Sequence, residues 1–249
     1  MSRESELSIG FTQVIAMGCG VSNAAAQTDK YPDGSDRPIP DEKNAEIQLA
    51  RSAAPESISR DAEVLVLGRD GFETAVKGKN GFVCIVERSW TSAPDADFLN
   101  PKVRTPISYN PAAAHSYLPR NIKRINLILA GRTKAQTDET IVAAIDKKEL
   151  PAMEPGAMCY MMSKQGYGGA TLPHWPSHLM FFYSDTDLAI WGANLPGSPA
   201  LGVTDTVEHL TSFVVLVQRG QTERSIAKAR SPSIIMGLRQ LRNLTLTPL

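Results

Sequence analysis

Two of the four histidines of this chain, His174 and His178, lie four residues apart in a segment rich in glycine and proline. On a helix, this H-x3-H spacing places two imidazoles on one side, where they can bind zinc. Pro173 and Pro176 disfavour a helix here. In an extended chain, residues four apart are separated by about 13 Å. The segment must therefore curl if both imidazoles are to reach one divalent metal ion such as zinc.

A metal site at this segment needs further ligands from elsewhere in the chain. The candidates are His209 with its neighbour Glu208, and the pair Asp185 and Asp187, which follows the apolar run 179–183. We predict that His209 joins the two loop histidines as the third metal ligand, and that Asp185 orients or completes the site. The same histidines are also candidate general bases.

Ser177 lies between the two histidines and is a candidate nucleophile if an imidazole comes within hydrogen-bonding distance of its hydroxyl. The chain has no G-x-S-x-G sequence, which disfavours an ordinary α/β-hydrolase. A structural interpretation is also open. In that interpretation, the two histidines anchor Trp175 and hydrogen-bond to the backbone, while the aspartates form a turn.

Composition excludes several classes of partner. The 249 residues are 42% hydrophobic, with 26 Lys and Arg against 26 Asp and Glu, so no overall charge attracts nucleic acid or an anionic membrane. No apolar run approaches the ~20 residues of a membrane-spanning helix. The charges are not evenly distributed along the chain, because the tail of residues 219–249 contains six basic residues and one acid.

The N-terminus resembles a weak export signal. Residues 9–21 are moderately apolar, and a small-residue cleavage site follows at Ala26. We therefore predict an export signal over 1–26, a linker over 27–40, one domain over 41–218 and the basic tail, which places the protein in the periplasm or outside the cell. In an alternative interpretation, Cys19 lies in a weak lipobox and becomes the lipidated first residue.

The pattern of apolar residues and turn formers predicts an α+β fold. We expect an antiparallel sheet of about five or six strands, with two or three helices packed on one face, and the first three strands as a meander. The expected strands are 62–67, 72–77, 82–90, 156–163, 179–183 and 212–218. The expected helices are 41–53, about 112–131 with Pro119 as a candidate break, one from Thr133 or Thr137 to Leu150, one turn at 205–208, and a short helix in the tail.

Cys84 and Cys159 would remain after removal of an export signal, and both lie in predicted strands. A disulfide is possible only if the two strands are neighbours and the Cβ atoms approach each other. The alternative, which we favour, is that both are small buried thiols in the core of the sheet.

Two groups of segments carry a resemblance to exported bacterial proteins without an assigned activity. One is the series 53–56, 64–67 and 80–84, and the other is the series 158–163, 173–175 and 178–181. The resemblance covers roughly residues 44–218. It implies export and one compact domain, and it implies nothing about mechanism.

We therefore predict a small exported hydrolase that acts on an ester, lactone or amide bond of a small molecule, with or without a divalent metal. The alternative is a non-catalytic binding domain in the periplasm or on the cell surface. In that case the loops 164–178 and 192–203 would hold a ligand or a protein partner.

Overall fold

A computed structural model describes residues 43–91, 100, 102–169 and 173–217 of the chain. The predicted export signal, the linker and the basic tail, including the short helix expected within it, lie outside the described residues. The α+β class is confirmed, since one sheet combines with several helices.

Five α-helices and one 3-10 helix occur in the described residues. The helices are α1 (Lys43–Arg51), α2 (Glu56–Ser59), α3 (Pro111–Ser116), α4 (Leu118–Leu129), α5 (Lys134–Asp146) and the 3-10 helix (Leu188–Trp191). The strands are β1 (Glu63–Leu67), β2 (Phe72–Val76), β3 (Val83–Glu87), β4 (Thr105–Tyr109), β5 (Met158–Met161), β6 (His178–Ser184), β7 (Ala200–Asp205) and β8 (Leu210–Leu216). None of the helices in this part of the chain has the length and apolar character that crossing a bilayer requires.

Capping residues and prolines begin α3, α4 and α5 close to where the sequence predicts these helices. Asn110 caps α3 by accepting a hydrogen bond from the amide of Ala113, and Pro111 occupies the first turn. A capping box opens α5, because Thr133 and Gln136 each accept a hydrogen bond from the other's backbone amide. Pro119 lies in the first turn of α4, and this confirms the predicted interruption between two helices.

The sheet is larger than predicted and is not purely antiparallel. Its strand order is β2-β1-β3-β4-β5-β6-β8-β7, and β1 and β3 run parallel. The predicted meander is therefore wrong in its second connection. β1 and β2 form the expected hairpin, but β3 lies on the other side of β1, and the Asn80-Gly81 turn does not join a hairpin. Asn80 instead holds the connection by hydrogen bonds to the backbone of Ile58 and Phe82.

The helices cover both faces of the sheet, not one as predicted. All five residues of β3 are buried because α1 packs on one face and α3 with α4 packs on the other. The α1 side contains Ala50, Val64, Val66, Cys84 and Val86. The α3–α4 side contains Val83, Ile85, Ile107, Tyr109, Ala113 and Leu118. A strand buried on both faces shows no alternation, so its sequence cannot indicate how many faces carry helices.

Two of the eight strands lie where the sequence predicts loops, and proline and glycine explain both errors. β4 contains Pro106, which lacks the N–H of a ladder. The proline is tolerated because β4 pairs fully with β3, whereas β5 pairs only with Ser108 and Tyr109 at the far end of β4. β7 contains Gly202 and follows a segment rich in glycine and proline.

The turn between β7 and β8 replaces the single helical turn predicted at 205–208. Asp205 accepts hydrogen bonds from the amides of Val207 and Glu208, at 2.9 and 3.0 Å from its Oδ1. The same hydrogen bonds would cap a helix, which is why the sequence pattern is ambiguous. On the outer edge of β7, the Asn194 side chain bonds both the N–H and the C=O of Gly202, so this part of the edge is already paired.

The two described cysteines cannot form a disulfide in this fold. Cys84 pairs with Ser108 of β4, whereas Cys159 pairs with Tyr109, the next residue of β4, so the two thiols point to opposite faces. Both are buried and free, and burial raises the pKa of each thiol. The favoured interpretation of two core thiols is confirmed.

The core around β3 provides a test of the fold. Ile85 is fully buried, so Ile85→Ala should lower the free energy of unfolding by about 2–5 kcal/mol through lost burial and the cavity that remains. The matched control is Ile190→Ala. Its side chain is 74% exposed, and the change should be within about 0.5 kcal/mol. Urea unfolding measures both, and equal losses would contradict the two-sided burial of β3.

Candidate functional site

The loop histidines are held by backbone carbonyls. The Nδ1 atom of His174 lies 3.0 Å from the carbonyl oxygen of Gly166, and that of His178 lies 2.8 Å from the carbonyl oxygen of Pro176. The Ser177 hydroxyl donates to the carbonyl of Met162 at 3.4 Å. These contacts are the ones expected if the segment has a structural role, and no hydrogen bond joins Ser177 to an imidazole among the described residues.

The structure does not bring His209 to the other predicted metal ligands. His178 pairs with Leu216 at one end of the β6–β8 ladder, whereas Ser184 pairs with Leu210 at the other end. Asp185 follows Ser184 directly, so it lies about 23 Å from His178 along the strand. The predicted ligand set is therefore split between opposite ends of the sheet. No group of three or more His, Cys, Asp or Glu side chains in the described part of the chain is arranged to hold a metal ion.

Asp185 and His209 form a pair of their own. The two carboxylate oxygens of Asp185 lie 3.2 and 3.0 Å from Nδ1 of His209, and the side chains are 62% and 50% exposed. Both residues have positive φ angles, +37° and +52°, in a region that non-glycine residues enter at some cost. The carboxylate orients the imidazole and leaves its Nε2 directed away from the partner.

A cavity of about 170 Å³ lies elsewhere, between α4 and the β6–β8–β7 part of the sheet. Apolar side chains from the three strands form most of its wall, and polar side chains from α4 and from the β7–β8 turn converge on it. The lining residues are Tyr117, Asn121, Arg124, Met180, Val203, Asp205, Glu208, Leu210, Ser212 and Val214. A partly enclosed apolar space with a few convergent polar groups is the usual form of a small-molecule site.

The guanidinium of Arg124 closes one side of this cavity. It pairs with the carboxylates of Asp138 on α5 and Glu208 in the β7–β8 turn, and it is almost completely buried. Arg120 adds a hydrogen bond of 2.9 Å to the carbonyl oxygen of Glu208. Arg120 and Arg124 of α4 both bind Glu208 in the β7–β8 turn. These contacts define the separation between the helix and the edge of the sheet.

A second buried polar network lies behind the cavity. The Tyr109 hydroxyl donates to Glu87, and the Asn121 amide donates to Glu87 at 2.6 Å and to the Tyr109 oxygen at 2.9 Å. The Tyr117 ring stacks on Phe182 with 4.1 Å between centroids. These contacts leave Asn121 and Tyr117 with little freedom, so two walls of the cavity are rigid.

Burial dominates the titration of the groups around the cavity. It raises the pKa of Glu208, and Arg124 opposes that increase. It also raises the pKa of Tyr117, an effect strengthened by the carboxylates of Glu87 and Glu208, so this phenol stays neutral. Side chains with shifted pKa values that line one cavity favour a functional role for that cavity.

Two larger depressions on the surface are less suited to holding a ligand. One runs along α4 beside Ile122 and Leu127, with a volume of about 430 Å³. The other, of about 610 Å³, lies beside α1 and α2 near Arg51 and Arg60. Both are wide open to solvent, so a bound molecule would keep much of its hydration, and the smaller enclosed cavity remains the best candidate.

Of the residues of this cavity, the sequence interpretation named Glu208 as a candidate ligand and missed the others, although α4 carries a signal for its own residues. Tyr117, Asn121 and Arg124 recur at helical spacing beside the apolar residues Ile125 and Ile128. Polar residues on the buried side of a helix require partners, and such positions are candidates for function. Ser212 and Val203 gave no such signal, because only strand pairing places them at the cavity.

Comparison with protein-family models, with curated proteins and with solved structures finds no match to this chain. The resemblance to exported bacterial proteins stays a prediction.

His178 provides a test of the loop's burial. Burial lowers the pKa of this imidazole, so the unfolded chain takes up the proton first as the pH falls. The stability contributed by the neutral ring is complete above about pH 6.5 and is lost below it, by at most about 1.4 kcal/mol per pH unit. Urea unfolding at pH 7.5 and 5.5 should show that His178→Gln loses less stability between these values than the unmodified protein does. Equal losses would contradict a buried neutral His178.

Proposed function

We propose that this protein is a small-molecule-binding domain whose ligand occupies the cavity between α4 and the β6–β8–β7 strands. The observation that supports it is the partly enclosed apolar space itself, on which polar side chains of α4 and the β7–β8 turn converge. An apolar group that leaves water for a mostly apolar wall gains free energy, and the polar side chains can fix its orientation.

The volume limits the ligand to a small molecule or to one group of a larger one. An apolar cavity of about 150 Å³ accommodates a benzene ring, and this cavity measures about 170 Å³. Tyr117, Met180 and Val214 supply the surfaces for an apolar group. Val203 is largely exposed at the mouth, so a substituent on the ligand can extend to solvent there.

Filling the cavity should abolish binding. In Val214→Phe, the larger side chain enters the space, whereas in the control Val215→Phe it points to the other face of β8. Both valines are half-buried, which makes the pair well matched. Titration with benzene, toluene and phenol, followed by calorimetry or by chemical shifts, should give saturable binding to the unmodified protein and to Val215→Phe, and none to Val214→Phe. Equal binding to both variants would place the ligand elsewhere, and failure of all three probes to bind the unmodified protein would reject the cavity as their site.

A hydrolase acting on an ester, lactone or amide is the second candidate function. The Asp185–His209 pair supports it, because a carboxylate that orients an imidazole prepares it as a general base. The backbone of both residues is in a costly conformation, and such strain is concentrated at functional sites. Water would be the nucleophile, since no hydroxyl side chain hydrogen-bonds to His209 among the described residues.

Removal of the imidazole tests this second candidate. Asparagine tolerates the positive φ of residue 209, so His209→Asn should keep the turn. We expect hydrolysis of p-nitrophenyl acetate to fall by about 10²–10⁴-fold if the dyad is a general base. The matched control is His115→Asn, because His115 is another exposed histidine paired with a carboxylate, that of Glu154. Equal rates in both variants would eliminate the dyad.

A further inference from the structure

Asn121 presents a hydrogen-bond acceptor without a partner to the cavity. Its side-chain nitrogen donates to the carboxylate of Glu87 and to the oxygen of Tyr109. Because only the NH2 group can donate to a carboxylate, the orientation of this amide is determined. Its carbonyl oxygen accepts no hydrogen bond from any described residue, although the side chain is almost completely buried.

Two further acceptors lie on the sheet side of the cavity. Oδ1 of Asp205 accepts the amides of Val207 and Glu208, whereas Oδ2 has no hydrogen-bond partner in the described ranges. The hydroxyl of Ser212 also makes no hydrogen bond within that part of the chain. Val203 pairs with Ser212, and Asp205 follows two residues later on the same face, so Ser212 and Asp205 are diagonal neighbours. One small donor group can therefore lie between them.

The charges on the cavity wall favour a cation over an anion. Arg124 is the cationic lining residue, and two carboxylates already bind its guanidinium. Asp205 and Glu208 are the acidic lining residues, and Arg120 beside them adds a second positive charge that acts on both, so these four charges balance. An anionic ligand would meet an arginine that is already paired, whereas a cation would reach the oxygen of Asp205 that accepts no hydrogen bond from the described residues.

We propose that the cavity binds a primary ammonium group attached to an apolar group of about the size of one ring. The three N–H donors of the ammonium match the three free acceptors, Asp205 Oδ2, Ser212 Oγ and Asn121 Oδ1. The apolar group packs against Tyr117, Met180 and Val214. This inference rests on the proposed binding function and specifies its ligand class.

The direct test compares three ligands of nearly the same shape. Benzylamine, benzyl alcohol and benzoate are titrated calorimetrically into the full chain at pH 7. Benzylamine should bind at least about tenfold more tightly than benzyl alcohol, because its hydrogen bonds are charge-assisted, and benzoate should bind most weakly. Equal affinity of benzylamine and benzyl alcohol would overturn the ammonium proposal and leave the cavity as a binding site. Absence of binding by all three would overturn both proposals.

A charge-removing variant tests the residue that selects the cation. Asp205→Asn keeps an acceptor oxygen for the turn amides, so the turn should remain. It should weaken benzylamine binding by about tenfold and leave benzyl alcohol binding unchanged. The matched control, Asp70→Asn, removes an exposed carboxylate in the β1–β2 turn, near the opposite edge of the sheet, and should change neither affinity.

Ser212→Ala provides a second variant if Asp205→Asn fails to fold. It removes one acceptor without changing charge, and it should weaken benzylamine binding more than benzyl alcohol binding. Unchanged selectivity for the amine over the alcohol in a folded Asp205→Asn or Ser212→Ala protein would overturn the assignment of the ammonium to these acceptors.

Discussion

The buried guanidinium of Arg124 is the interaction on which the rest of this arrangement depends. It connects α4, which carries it, to Asp138 of α5 and to Glu208 of the β7–β8 turn. Without it, the largely buried carboxylate of Glu208 would lose its ion-pair partner, and Asp138 would keep only Lys134. Breaking a buried pair by removing one partner typically costs about 3–5 kcal/mol. The distance between the last strands of the sheet and α4, and with it the cavity, depends on this residue together with Arg120.

Burying the polar side chains of α4 costs free energy of folding, and this cost indicates that they have a role beyond packing. Apolar residues of the same size would pack against the sheet without any need to pair charges, and such replacements are often neutral or stabilising. Asn121 makes the contrast clear, because its amide satisfies Glu87 and Tyr109 while its oxygen is left for the cavity. A helix that retains Asn121 and Arg124 on its buried side is better suited to recognition than to packing alone.

The predicted hydrolytic centre and the cavity differ in how their residues are held. The loop around His174 and His178 is fixed by backbone contacts and by Trp175, which packs closely on Gly166. The Asp185–His209 pair lies at the opposite end of the β6–β8 ladder. The cavity contains residues of α4 and of three strands that lie far from it in the chain, since α4 ends at Leu129 and β6 begins at His178. Tyr117, Asn121 and Arg124 are held by buried contacts, which the exposed pair lacks.

The sequence by itself determined the local features of this protein, because those depend on neighbouring residues. It predicted a helix that begins near residue 112, the interruption at Pro119, a further helix from about residue 133, the β1–β2 hairpin and six of the eight strands. Tertiary structure alone decided the parallel pairing of β3 with β1, the strand that accommodates Pro106, and the placement of helices on both faces. It also decided that His178 and His209 lie apart while Asn121 and Ser212 line one cavity. Strand order and register join residues that are distant along the chain, and no local periodicity encodes those contacts.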